Sequence, residues 1–196
     1  MRVRGLLLTI LLLATACTGN PAQTSSSAPS ESSGEVSLES KRIELGLPEC
    51  PETDPEAEQV TGGLPVTDLP CLGTGQRVNL AGLPRKPMVV NFWAQWCPPC
   101  RAEAPILRDA HERHDDVSFI GVNFNDPQPE LALEFAGEAE WSYPHLMDQD
   151  KTLQRGIGVP GLPMTLFVDA EGVVQYRHAG EITSDEQLEA FIEEYL

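Results

Sequence analysis

The stretch FWAQWCPPC, residues 92–100, places two cysteines three positions apart where two contrasting segments meet. Residues 87–94, PMVVNFWA, are a continuous apolar run rich in β-branched and aromatic residues, which predicts a strand covered on both faces. Residues 98–114 predict a helix, since proline is tolerated in a first helical turn, where the amide it lacks has no partner anyway. The chain must therefore turn from a buried strand into a helix at Cys97 and Cys100.

The segments after this junction alternate between strands and helices. Residues 117–124 predict a second buried strand, and residues 129–141 predict a second helix. A strand, a crossover helix and another strand imply a parallel βαβ unit. Residues 164–178 predict an antiparallel hairpin around an Asp-Ala-Glu-Gly turn, and residues 184–196 an amphipathic helix that begins with a capping box. This order predicts an α/β layered domain.

The N-terminus, MRVRGLLLTILLLATAC, has the arginines, short apolar run and small residues of an export signal. The apolar run is far shorter than the roughly 20 residues that a membrane-spanning helix needs. The cysteine after Ala-Thr-Ala resembles the lipobox of bacterial lipoproteins, in which the thiol receives a lipid; ordinary signal cleavage nearby is the alternative. We therefore expect a signal peptide (1–16), a flexible Ser/Pro/Glu-rich tether (17–40) beginning at lipidated Cys17, an N-terminal arm (41–62) and a folded domain (63–196). The protein would then be anchored by lipid on the extracytoplasmic face of the cell membrane.

The five cysteines divide into groups with different expected roles. An exported protein meets an oxidising compartment, in which cysteine pairs persist as disulfides. With Cys17 assigned to the lipid and Cys97 and Cys100 forming the close pair, Cys50 and Cys71 remain, and we predict that they are joined. Such a bond would pin the arm to the domain, with a second redox pair as the alternative.

The charge of the chain argues against polyanionic binding partners. The formal net charge is −17, which argues against nucleic acid and anionic membrane surfaces as binding partners. An acidic surface that aids solubility is sufficient to account for it and requires no partner.

The segment FWAQWCPPCRAEAP resembles the active-site motif of the thioredoxin superfamily, and most closely its exported TlpA/ResA/CcmG-like branch. The resemblance covers about residues 63–196 and implies a thioredoxin-like fold, with a central mixed β-sheet flanked by helices and an N-terminal extension. Further along, GVPGLPMTLFVD resembles the loop that carries the superfamily's cis-proline. The resemblance implies that Pro163 is this residue and receives the backbone of the target.

A cysteine at a helix N-terminus has its thiolate favoured by unpaired amides and the helix dipole, so Cys97 is the expected nucleophile and Cys100 the resolving thiol. Trp96 is expected to line the docking surface, with generic apolar packing as the alternative. Glu103 matches an acidic residue of the resembled branch that handles protons near the pair; an ordinary exposed helix glutamate is the alternative. Asn91 stands where cytoplasmic thioredoxins carry a buried aspartate, and it cannot ionise.

These observations predict an enzyme without a cofactor, an extracytoplasmic thiol-disulfide oxidoreductase that reduces disulfides of exported proteins. The resemblance implies a membrane thiol electron carrier as its donor and apocytochrome c as a candidate target. A disulfide oxidase or isomerase of secreted proteins is the alternative with the same fold. A thiol-based metal-binding module is the alternative from another class, but we expect no metal site, because zinc would need two further ligands. His111 and His114 are interpreted as solvated helix residues.

Overall fold

The computed structural model describes residues 37–196 of the chain. Its helices are α1 (Leu38–Glu44), α2 (Pro98–Arg113), α3 (Pro129–Glu138), α4 (Leu153–Gly156) and α5 (Asp185–Tyr195). Its strands are β1 (Asp68–Pro70), β2 (Arg77–Asn79), β3 (Met88–Trp93), β4 (Ser118–Phe124), β5 (His145–Asp148), β6 (Met164–Val168) and β7 (Val174–Ala179).

Five strands form one mixed sheet in the order β5-β4-β3-β6-β7, and β1 and β2 form a separate antiparallel pair. Strands β3, β4 and β5 run parallel, whereas β6 is antiparallel to both of its neighbours. The βαβ unit and the hairpin expected from the sequence are therefore present, and the α/β layered domain is confirmed. Strand β5 was not expected.

Burial differs between the central strand β3 and the edge strand β7. Every residue of β3 is buried, as the continuous apolar run predicted for a central strand. Edge strand β7 instead alternates between partly buried and exposed residues, which is typical of a strand with one solvated face. On one face Val89 and Trp93 of β3 pack with residues of α2, α3 and α5, and on the other Val90 and Phe92 pack with β1 and β2.

The arm at residues 41–62 lies against the β1–β2 pair. Thr53 Oγ1 accepts a hydrogen bond from the amide of Asn79 at 3.0 Å, and the amide of Asp54 donates to the carbonyl of Gly82 at 3.2 Å. Gly82 allows this approach, because a Cβ there would lie 2.2 Å from the carbonyl oxygen of Asp54.

The predicted signal peptide, Cys17 and most of the predicted tether lie outside the described residues. Residues 38–40, which the sequence analysis included in the tether, form the first turn of α1, where Ser37 Oγ accepts a hydrogen bond from the amide of Ser40. Within residues 37–196, none of the helices combines the length and apolar character that a membrane span requires.

Candidate active site

Cys97 and Cys100 are joined by a disulfide at the point where the chain leaves β3 and enters α2. Cys97 is the N-cap of α2, and its Sγ accepts a hydrogen bond from the amide of Cys100 at 3.3 Å. Both cysteines are almost completely buried in this oxidised form. When the bond is reduced, the same amide and the dipole of a 16-residue helix favour the thiolate of Cys97 over its thiol.

The loop before Cys97 presents an exposed indole. The Trp96 side chain is 48% exposed, and its Nε1 donates a hydrogen bond to the carbonyl of Asn125 at 3.2 Å. By contrast, Trp93, three residues earlier, is completely buried in the core. An apolar side chain that is held in place but half open to water is suited to contact a docking protein.

Pro163 follows a cis peptide bond from Leu162 and precedes β6. The next residue, Met164, pairs with Phe92 near the end of β3. Since Cys97 lies just beyond that same end of β3, the sheet brings the cis-proline loop and the cysteine turn to one edge. Pro163 and the disulfide therefore lie at the same edge of the sheet, and its role in receiving a target backbone stays a prediction.

Glu103 lies one turn after Cys100 on α2 and is fully buried, so the alternative of an exposed glutamate is wrong. Its Oε1 accepts a hydrogen bond from Asn91 Nδ2 at 2.8 Å, and its Oε2 accepts one from the amide of Ile182 at 2.9 Å. Burial raises the pKa of Glu103 from an ordinary 4.5 to about 7, although these two hydrogen bonds oppose the rise. A group with this pKa can exchange a proton near neutral pH.

Asn91 connects the acid to the neighbouring strand. Besides its bond to Glu103, Asn91 Nδ2 donates to Thr165 Oγ1 of β6 at 3.1 Å. The residue that replaces the aspartate of cytoplasmic thioredoxins therefore holds a carboxylate supplied by the helix.

Cys50 and Cys71 are also joined by a disulfide, on the other face of the sheet from Cys97. Both are buried, and Cys71 forms an antiparallel bridge with Leu146 of edge strand β5. This bond ties the arm to the edge of the sheet. Neither cysteine stands at a helix N-terminus, so nothing favours a thiolate there as the start of α2 does for Cys97.

Asp126, which the sequence analysis missed, fixes the turn in front of Cys97. It is fully buried, and its Oδ2 accepts hydrogen bonds from the amide of Gln95 at 3.0 Å and from Asn123 Nδ2 at 3.1 Å. Its Oδ1 accepts a bond from the amide of Gln128 at 3.2 Å. Its position directly after β4 was the signal that could have identified it. The carboxyl ends of the parallel strands β3 and β4 meet at one edge of the sheet, so a residue after β4 lies near the turn after β3.

The two helix histidines are not a solvated pair, so that interpretation was wrong. His111 is only partly exposed and packs against the rings of Phe119 and Tyr143, each at 5.3 Å between centroids. His114 Nε2 contacts Glu189 Oε2 of α5 at 2.7 Å. In the described part of the chain, no three His, Cys, Asp or Glu residues are grouped in a way that could hold a metal ion.

Comparisons with known proteins agree with this geometry. A family model described as Redoxin matches residues 56–192. The thiol:disulfide interchange protein DsbE of Pseudomonas fluorescens biotype C is 35% identical over 119 residues, which are 60% of this chain and 65% of that protein. The chain thus spans less than two thirds of the length of this curated relative.

Two solved structures are similar over most of their own length. MTB dsbF, solved in mixed oxidized and reduced forms, is 30% identical with a TM-score of 0.60, and the match covers 67% of this chain and 96% of that one. A secreted Mycobacterium tuberculosis disulfide oxidoreductase homologous to E. coli DsbE is 26% identical with a TM-score of 0.59, over 65% and 95%. The resemblance to thioredoxin-like thiol-disulfide proteins and the thioredoxin-like fold are confirmed.

Proposed function

The chain belongs to the redoxin family, and on that premise we propose that it is a thiol-disulfide oxidoreductase that acts outside the cytoplasmic membrane. The observation that carries this proposal is the Cys97–Cys100 disulfide at the start of α2, with the exposed Trp96 beside it and the buried acid Glu103 one turn further along. A nucleophile, a resolving thiol, a docking surface and a proton acceptor are thereby supplied by one short segment.

In the reductive direction, the Cys97 thiolate attacks one sulfur of the target disulfide and forms a mixed disulfide, while the other target sulfur leaves as a thiolate. Cys100 then gives its proton to the Glu103 carboxylate and attacks the sulfur of Cys97. The second target thiolate leaves, so the target gains two electrons and the Cys97–Cys100 disulfide returns. Glu103 suits this step because its pKa of about 7 lets it accept and release a proton at neutral pH.

We propose that the direction in the cell is reduction, as the resemblance to the TlpA/ResA/CcmG-like branch implies. A membrane thiol electron carrier would recharge Cys97 and Cys100, and apocytochrome c thiols are a candidate target among exported proteins. An oxidase or isomerase would use the same residues with a higher reduction potential. The potential of the pair therefore separates the two directions.

The lipid anchor is proposed from residues outside the described range. Cys17 follows the export signal at 1–16, and a lipid on its thiol would hold the tether and domain at the membrane surface. Expression with a radiolabelled or clickable fatty acid should label the wild-type chain. The Cys17→Ala variant should lose that label and leave the membrane fraction, whereas labelling that survives the substitution would refute the anchor.

The proposed chemistry predicts opposite behaviour for the two cysteines. With insulin as a disulfide substrate, Cys100→Ser should accumulate a mixed disulfide that is visible by non-reducing electrophoresis, because attack proceeds and resolution fails. Cys97→Ser should form no such adduct, since it lacks the attacking thiolate. Equal trapping by both variants, or insulin reduction that survives in Cys97→Ser, would overturn the assignment.

A further inference from the structure

The buried acid of the proposed mechanism needs a way to exchange its proton with water. Glu103 is fully buried, and each of its oxygens accepts a hydrogen bond from a protein group, Asn91 or Ile182. A target protein docked at Trp96 covers the side of the molecule where Cys97 lies. A route that opens elsewhere would let Glu103 release the proton taken from Cys100 while the target is bound.

Five ring side chains pack against one another beside α2 and are here called the aromatic cluster: Trp93, His111, Trp141, Tyr143 and His145. Tyr143 is central in it, with ring centroids 5.3 Å from His111 and 4.9 Å from His145. His145 in turn lies 5.3 Å from Trp93 and 5.2 Å from Trp141. Trp141 Nε1 donates to the carbonyl of Ala104 at 3.0 Å, so the cluster reaches the residue next to Glu103.

The cluster carries an unusual number of polar atoms for a core. Within residues 37–196, eight buried side-chain nitrogen or oxygen atoms have no hydrogen-bond partner in the protein, and five of them belong to the cluster. The five are Trp93 Nε1, His111 Nδ1, Tyr143 Oη, His145 Nδ1 and His145 Nε2. Leaving buried polar atoms unbonded costs folding free energy, and folded proteins commonly satisfy such atoms with ordered water.

The cluster has one end at the surface and one end near the acid. At the surface, His111 and Tyr143 line a groove of about 480 Å³ at the C-terminal end of α2. This groove lies at the opposite end of the 16-residue helix from Cys97, about 24 Å away at 1.5 Å per residue. At the inner end, His145 is in register with Gly121 of β4, and Gly121 is in register with Asn91 of β3, which donates a hydrogen bond to Glu103.

The charges that face this route are few. Burial lowers the pKa of His145 to about 3, with a smaller contribution from His111, so its ring stays neutral at working pH. A neutral imidazole carries one donor and one acceptor and can pass a hydrogen-bonded chain onward without gaining charge. The other titratable groups named here stand at the ends, with Glu181 near Glu103 and a larger set at the groove: Glu49, Lys86, Glu112, His114 and Asp115.

We propose that the aromatic cluster holds ordered water and forms a proton path between Glu103 and the groove at the far end of α2. Cys100 gives its proton to the Glu103 carboxylate as its sulfur attacks Cys97, and protonated Glu103 gives that proton to the path. One proton leaves the groove for each one accepted, so Glu103 returns to its carboxylate form while the target still covers Trp96. The role as a proton path rests on the proposed thiol-disulfide exchange. The presence of bound water in the cluster does not depend on that exchange.

The water is tested directly on the full chain, without reference to activity. Magnetisation transfer from water, followed by NMR on ¹⁵N-labelled protein, should reach the ring nitrogens of His145 through long-lived bound water. The Tyr143→Phe variant should weaken this transfer, because it removes one hydroxyl that anchors the water and leaves the ring in place. A dry His145 in the folded wild-type chain would overturn the proposal.

The path is tested by comparing a large and a small substrate. Tyr143→Phe should lower the ratio of the insulin reduction rate to the dithiothreitol exchange rate severalfold, because only insulin covers the active-site opening. The matched control Tyr176→Phe alters a tyrosine of β7 outside the cluster and should leave the ratio unchanged. An unchanged ratio in Tyr143→Phe would refute the path. A wild-type chain inactive towards insulin would instead refute the proposed function, and the NMR result would still stand.

Discussion

The buried carboxyl of Glu103 makes the stability of the fold depend on pH in a way that one substitution removes. Its pKa is raised from 4.5 to about 7 because burial disfavours the charged form. The folded state therefore binds more protons than the unfolded state between these two pH values, and stability falls as the pH rises through this window. Below about pH 4.5 the group costs nothing, and above about pH 7 the full cost is present.

The size of the effect follows from the two pKa values. One pKa unit corresponds to about 1.4 kcal/mol, so a change from 4.5 to about 7 amounts to about 3 kcal/mol. Glu103→Gln should avoid this cost, because a neutral amide keeps the volume and one carbonyl oxygen. That oxygen can still accept the amide hydrogen of Ile182, while Asn91 can turn its unpartnered Oδ1 towards the new NH₂ group.

The assay is urea unfolding of the oxidised protein at several pH values from 4 to 8.5, with wild type and Glu103→Gln measured side by side. The variant should gain about 3 kcal/mol relative to wild type between the two ends of this range. Glu112→Gln, on the exposed side of the same helix, controls for the loss of one negative charge and should show no such gain. If the difference in unfolding free energy between wild type and Glu103→Gln stays constant with pH, the raised pKa of this buried carboxyl is refuted.

Three further predictions follow from other parts of the structure. A dithiothreitol concentration that opens the active-site pair should leave the Cys50–Cys71 disulfide intact in peptide maps, because neither of its cysteines lies at a helix N-terminus that favours the thiolate. Replacing both by alanine should cost about 3 kcal/mol of stability for a loop closed over 21 residues, and simultaneous reduction of both bonds would contradict the structural role. Trp96→Ala should raise the KM for insulin severalfold while the rate with dithiothreitol is kept, with Trp96→Phe as the milder control, and an unaltered KM would remove the indole from docking. Gly121→Ala should lower the melting temperature through a loss of about 1 to 3 kcal/mol, because its Cβ would stand 2.0 Å from His145 Nδ1, and a variant as stable as wild type would show that the ring moves freely.

The elements that could be predicted from the sequence are those whose signal is local. The apolar run before Cys97 predicted β3, and the observed strand Met88–Trp93 lies inside the expected range. Ser184 predicted the start of α5, and its Oγ accepts a hydrogen bond from the amide of Gln187 as a capping box requires. Such signals are read within one or two turns of chain and do not depend on the rest of the fold.

The features that could not be predicted depend on distant partners. Strand β5 has only four residues and includes a histidine, and it exists because it pairs in parallel with Gly121–Phe124 of β4. The burial of Glu103 depends on Ile182, 79 positions away, and on Asn91, 12 positions away in the opposite direction. A glutamate among polar helix residues carries no local sign that another element will cover it.

The first helix shows that composition alone does not decide whether a short segment is helical. The Ser-, Pro- and Glu-rich stretch predicted a flexible tether up to residue 40, yet α1 begins at Leu38. Tertiary contacts account for this difference, because Lys41 pairs with Glu134 of α3 and Leu45 packs beside Gly137. A seven-residue helix needs such support, since isolated helices of this length are marginal in water.

The reduction potential of the Cys97–Cys100 pair tests the central claim most directly. The full chain is equilibrated in thiol buffers of defined potential, and the emission of Trp96 beside the pair reports the fraction reduced. Thioredoxin-like proteins span potentials of roughly −270 to −120 mV. The proposed extracytoplasmic reductant requires a value near the low end of that range. A value near the high end would make the protein an oxidase and contradict the direction proposed for it.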